Sequence, residues 1–226
     1  MPARDDTTAD SPTDSTEFGQ RLRLERERQN IGVRELSRRL DVSASMISQI
    51  ERGRVMPSVN TLYSITSALG ISLDDLFARD PGAGRPRGTV NGGGAAEAGA
   101  APTDPAAGGL VQRREGRQAI ELGSGVRWEL LTTRPEANVE FLQTTYAVGG
   151  ESTPADALMR HGGHEYGVVL SGRLGVTVGF ETHELEPGDS ISFTSSTPHR
   201  LFNLDPEEPT TAVWVVVGRR GDPRVR

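Results

Sequence analysis

Three residues in the second half of the chain have the types and spacing to do chemistry: His161, Glu165 and His199. Two imidazoles and one carboxylate make the facial donor set that suits a non-haem Fe(II), and Mn, Ni or Zn also accept it. Alternation places Met159 and His161 on one face of a strand, and across the Gly162-Gly163 turn Glu165 can face the same interior. His199 begins a late strand nearby. His164, next to Glu165, should point the opposite way, and His183 falls in the Glu181–Glu186 hairpin stretch, where it reads as exposed. A second reading stays open. Glu165 and His199 can equally form a hydrogen-bonded buried pair in a barrel that binds an organic effector without metal.

A different chemistry is carried near the N-terminus. A helix from Ala44 to Arg52 would bury Ile47 and Ile50 and leave Ala44, Ser45, Ser48 and Gln49 on its outer face, near its N-terminal end. Gln49 can make paired hydrogen bonds to an adenine edge, Ser45 and Ser48 single bonds, and Ala44 a contact with a thymine methyl.

These groups need two unlike scaffolds. From residue 17 to 79 the apolar residues recur at helical spacing. Phe18, Leu22 and the stem of Arg26 share a first helix ending near Asn30, and Gly32 can cap a second that carries Leu36 and Leu40. Ser43 is placed to cap the third, with Gly53 ending it. Pro57 and Ser58 open a fourth helix that Gly70 stops, and Leu73, Leu76 and Phe77 supply a short fifth. From residue 110 the period changes to two. Val126–Leu131, Val139–Tyr146, Tyr166–Leu170, Leu174–Val178, Ser190–Phe193 and Ala212–Val217 are β-branched or aromatic runs broken by Gly, Pro and Asp, as in a sandwich or barrel.

Between them, residues 80–109 are nearly all Gly, Ala, Pro and small polar residues, which cannot bury enough apolar surface to offset their conformational entropy. The expected organisation is a disordered tail (1–16), an all-α bundle of five helices (17–79), a flexible linker (80–109) and an all-β barrel (110–226). Such a tether transmits force poorly, so control between the halves would act through dimer geometry or ordering of the linker.

The segment from Arg34-Glu35-Leu36-Ser37 through Val42-Ser43-Ala44-Ser45-Met46-Ile47-Ser48-Gln49-Ile50-Glu51-Arg52-Gly53, then Pro57-Ser58 and Leu69-Gly70-Ile71, resembles the Cro-type (xenobiotic-response-element, XRE) helix-turn-helix family over residues 17–77. The resemblance implies that the N-terminal end of the third helix enters the major groove of operator DNA. Arg34, Arg52, Arg54 and Asn60 then become phosphate contacts, which set register without reading sequence. It also implies that Glu51 pairs with Arg26 inside the domain. One such domain reads a half-site, so a homodimer is expected.

Residues 145–217 resemble the cupin superfamily, small antiparallel barrels of double-stranded β-helix type. His161, Glu165 and Gly172 keep the spacing of the first cupin motif, but Met159 stands where its first His is expected. The second motif runs from Gly188 through His199 to Asn203, with Thr194 and Ser196 in place of the usual Pro and Gly. The resemblance implies one divalent metal on His161, Glu165 and His199, a small-ligand pocket, and dimerisation through the barrel. Tyr146, Met159, Phe193 and Trp214 are candidate lining residues, although the aromatics could equally be ordinary core.

Composition narrows the choice. The chain has no cysteine, which excludes disulfides and thiolate metal sites. No apolar run reaches the roughly 20 residues of a membrane span, and the acidic N-terminus is unlike a signal peptide; a cytoplasmic protein is expected. The net charge of −6 runs against DNA binding, yet residues 17–79 hold ten Arg against eight acids, +2, while residues 110–226 hold twelve Arg against sixteen acids, −4. Where the cations lie matters more than their total. The favoured expectation is a regulator whose barrel senses a small-molecule effector. The alternative is a non-haem iron enzyme of the hydroxypropylphosphonate epoxidase kind, which resembles this chain in joining the same two domains and using His-x3-Glu with a later His.

Overall fold

Ser43 and Ser58 each start a helix by the same device, a side-chain oxygen accepting the backbone N–H three residues on: Met46 N at 3.1 Å and Thr61 N at 3.2 Å. In the computed structural model, which describes residues 15–71, 73–77, 110–134 and 138–218, five helices follow in order. They are α1 (Ser15–Arg28), α2 (Val33–Leu40), α3 (Ala44–Glu51), α4 (Val59–Leu69) and α5 (Leu73–Phe77). Helix α2 ends on Asp41 and α4 on Gly70, both in left-handed conformation. Phe18, Leu22, Leu36, Ile47, Ile50 and Leu62 are fully buried at the centre of the bundle. Helix α1 opens at Ser15, two residues inside the tail expected to be disordered, with Glu17 in its first turn where the helix dipole favours an acid.

The β domain has nine strands: β1 (Ala119–Leu122), β2 (Val126–Leu130), β3 (Val139–Tyr146), β4 (His164–Ser171), β5 (Leu174–Val178), β6 (Glu181–Leu185), β7 (Ser190–Thr194), β8 (His199–Asn203) and β9 (Thr210–Val217). A six-stranded sheet, ordered β1-β2-β3-β9-β4-β7, faces a three-stranded one, β6-β5-β8, and every pairing is antiparallel. Alternating burial along β2, β3 and β9 turns one side of each strand into the barrel. Gly167 on β4 lies opposite Trp214 on β9, and a Cβ there would fall 1.9 Å from the indole ring. Only glycine lets the ring lie flat across that strand.

The expected linker, 80–109, lies outside the described residues. The two domains nevertheless touch directly, which a picture of heads swinging on a tether did not anticipate. Gly123 N–H, in the β1–β2 turn, donates to Pro57 O at 3.0 Å, and Asn60 N–H donates to Ser152 O at 3.2 Å. Gly123 is obligatory for this contact, because a Cβ on it would sit 2.4 Å from Met56 O. Val59 and Tyr63, one turn apart on α4, are buried against the mouth of the barrel.

Candidate metal centre and nucleic-acid interface

His161 does not lie in a strand, as alternation implied. It follows a single antiparallel bridge between Met159 and His199, and its N–H donates to Ser195 O at 3.0 Å. The Gly162-Gly163 turn, with Gly163 at φ 105°, then delivers the chain into β4 with Glu165 facing inward. His164 is half-buried, its ring near Thr194 on the other side of the strand. His199 opens β8. The result brings three atoms together: His161 Nε2 and His199 Nε2 each lie 3.2 Å from Glu165 Oε1, and all three side chains are at least 96% buried.

The orientation of the two imidazoles follows from their neighbours. His161 Nδ1 lies 3.0 Å from Gly162 O and His199 Nδ1 lies 2.8 Å from Thr197 O. A carbonyl oxygen only accepts, so each Nδ1 carries a hydrogen and Nε2 is the nitrogen that each ring turns to the centre. Glu165 is oriented in turn by Trp214, whose Nε1–H donates to its Oε2 at 2.7 Å. His161 Nε2, His199 Nε2 and Glu165 Oε1 are all buried and make no hydrogen bond. Three buried ligand atoms converging without a hydrogen bond among them suit a shared cation.

The direction of the pKa shifts is consistent with this. Burial opposes ionisation of Glu165, but the two imidazoles and the Trp214 N–H outweigh it and hold its carboxyl below the usual range. Burial also pushes His199 below the ordinary imidazole value. Carboxylate and neutral imidazole are the forms that bind metal. Among the described residues the three form one metal-sized group, their ligand atoms within 4.8 Å of one another. The residues present therefore fit a divalent ion.

The cavity beside the triad is about 20 Å³, room for one or two water molecules. Tyr146, Met159 and Trp214 line it, together with Trp128, Leu142 and Leu201. Burial pushes the Tyr146 hydroxyl far above its ordinary pKa, so it stays protonated. Phe193 is not in the lining; it packs behind His199 with ring centroids 5.0 Å apart. Of the lining residues that sequence reasoning missed, Val59 and Tyr63 stand apart because they come from the other domain. Tyr63 stacks on His161 at 4.3 Å and lies 5.3 Å from Trp128. Its hydroxyl donates to Glu140 Oε2 at 3.3 Å.

The second site is helix α3. Ile47 and Ile50 face the core, Ala44, Ser48 and Gln49 are half-buried, and Ser45 is exposed. Gln49 Nε2 donates to Ser45 Oγ at 3.2 Å, which orders the two groups beside each other on the outer face. The back of the helix is fixed by Arg26, whose Nε and Nη2 donate to the two oxygens of Glu51 at 2.5 and 2.9 Å while Nη1 holds Ile31 O at 2.7 Å. That pairing raises the already high pKa of Arg26. Arg34, Arg52 and Arg54 are exposed. Asn60 is apart from them, at the junction with the β domain, its backbone N–H already engaged there.

A helix-turn-helix pattern matches residues 22–76 and a cupin domain pattern matches residues 142–216. The chain joins a helix-turn-helix domain to a cupin domain. Among named proteins, it is 25% identical over 187 residues to the HTH-type transcriptional regulator PuuR of Escherichia coli, covering 82% of this chain and 86% of that one. The solved structure of an HTH_3 family transcriptional regulator from Vibrio cholerae covers 90% of this chain and 96% of its own, at 21% identity and a TM-score of 0.59, so the two share both domains' fold. Hydroxypropylphosphonic acid epoxidase from S. wedmorenis aligns over 91% of this chain at 19% identity, with a TM-score of 0.40. No helix among the described residues is long and apolar enough to cross a membrane.

Proposed function

We propose that this protein is a sequence-specific DNA-binding transcription regulator whose cupin domain holds a divalent metal and senses a small molecule. The observation that carries the reading is helix α3. It is capped by Ser43, anchored from behind by the buried Arg26–Glu51 pair, and presents Ala44, Ser45, Ser48 and Gln49 outward. Those side chains suit base edges, and Arg34, Arg52 and Arg54 suit phosphates. The likeness to PuuR, over most of both chains, supports the same reading. Binding to genomic DNA fragments, followed as a function of salt, tests it. Saturable binding enriched in a few sequences, weakening as salt rises, is the expected result; an unsaturable, salt-independent signal would end the proposal.

In the cupin, His161, Glu165 and His199 would hold Fe, Mn, Ni or Zn, and Met159, in place of the first motif His, closes one side of the pocket. A bound ion would supply an electrophilic anchor for an oxygen-bearing ligand. The outer face of the six-stranded sheet supports a homodimer. Phe141, Val215 and Tyr166 pair in one cross-strand row over β3, β9 and β4, and Phe141 and Tyr166 are 37% and 49% exposed. Two DNA-binding heads joined this way would read a two-fold operator. The enzyme alternative uses the same triad, so Glu165→Ala separates the two: a regulator keeps operator binding, whereas an enzyme loses all turnover.

A further inference from the structure

Tyr63 belongs to the DNA-binding domain, yet its ring lies inside the cupin. It covers the face of His161, its hydroxyl reaches the buried carboxylate of Glu140, and with Val59 it closes the cavity to about 20 Å³. Sites for organic ligands measure roughly 300–1,000 Å³. With α4 docked, the space beside the triad is far below that of an organic-ligand site. One further group points to an occupant: the indole N–H of Trp128, a residue 2% exposed that lines the same cavity, has no hydrogen-bond partner.

We propose that Tyr63 is an intramolecular plug of the cupin pocket, seated where an effector binds, so that effector entry lifts α4 off the barrel. The seat fits a planar ring bearing a hydroxyl: one face on His161, an edge toward Trp128 and an oxygen within reach of the Glu140 carboxylate. Displacing the ring also removes the contacts of Pro57 and Asn60 with Gly123 and Ser152. Pro57 is six residues beyond Glu51, where α3 ends, and α2 packs against both α3 and α4, with Ile47, Ile50 and Leu62 fully buried in the same core. They therefore move as one body, and an event in the pocket reaches the DNA-reading helix by a rigid route.

This inference rests on the regulator reading for its biological meaning, but the plug itself does not need the metal. The two tryptophans of the chain, Trp128 and Trp214, both line the cavity, so intrinsic fluorescence reports it directly. The test is acrylamide quenching of the full-length protein in chelator, comparing wild type, Tyr63→Phe and Tyr63→Ala, with Tyr63→Leu as the replacement if the alanine variant does not fold by circular dichroism. Removing the ring should raise the quenching constant at least twofold, p-cresol at millimolar concentration should reverse the rise, and Tyr63→Phe should stay near wild type. Equal quenching in wild type and the ring-less variant would overturn the plug. Affinity for a selected DNA fragment should differ at least threefold between the same two proteins, and identical affinities would overturn the coupling. Zn²⁺ titration by calorimetry, with Glu165→Ala as control, is a separate arm: no binding by wild type would end the metal reading and leave the plug standing on its quenching result.

Discussion

The indole of Trp214 donates a 2.7 Å hydrogen bond to Glu165, and Gly167 is the residue that makes room for the ring. The carboxylate is thus aimed by a residue that is itself buried, Trp214 being 4% exposed. Groups that orient metal ligands in this way typically carry 10–100-fold of metal affinity. Trp214→Phe should therefore weaken Zn²⁺ or Mn²⁺ binding by about 10–100-fold while leaving the barrel folded. Gly167→Ala should do so too by pushing the ring aside. Calorimetric titration of chelator-stripped protein measures both, and full affinity in Trp214→Phe would refute the assignment.

The pair Arg26–Glu51 should be far more costly to break than to keep. Both side chains are over 90% buried, so Glu51→Ala leaves a guanidinium without its main partner in the core of the helical domain. A loss of about 3–5 kcal/mol is expected, read as a lower midpoint of the helical domain's unfolding in urea or on heating. A change under 1 kcal/mol would mean that the pair is solvated in solution.

Base-reading and phosphate-binding residues should separate by their signatures. Gln49→Ala should cost about 1–3 kcal/mol on the selected operator and little on random DNA. Arg52→Ala should weaken both and lower the salt dependence by about one ion. Titrating each variant at three salt concentrations on both DNAs tells them apart, and equal losses on both DNAs for Gln49→Ala would remove it from the reading face.

Oligomerisation through the sheet is tested by charge. Val215 stands in the middle of the Phe141–Val215–Tyr166 row. Val215→Arg would place a cation at the centre of an apolar contact and should turn a dimer into a monomer in sedimentation velocity. A variant that remains dimeric would move the interface elsewhere.

Much of the architecture is readable from local rules. Ser43, Ser58 and Gly70 behave as the helix ends their side chains and backbones dictate, and Val139–Tyr146 and Leu174–Val178 are strands to the residue. Strand β6 shows in the sequence only as a hairpin stretch because four of its five residues are exposed, leaving no alternation to see. Strand β1 is four residues long, too short to carry a period. The triad was legible from donor chemistry and spacing, but the route to it was not: His161 is held by a turn and one bridge rather than a strand. Tyr63 was hidden for a different reason. Helix α4 is apolar on more than one side, and spacing alone does not say which side meets its own bundle and which meets another domain.

Gly123 brings these threads to one atom. Its missing side chain lets a β-turn lie against the Met56-Pro57 backbone, and a single methyl group there would act as a wedge between the halves of the molecule. Such a wedge would touch neither the triad nor the DNA-reading face, so Gly123→Ala amounts to a clutch: each half keeps its own trade while the drive between them is disengaged.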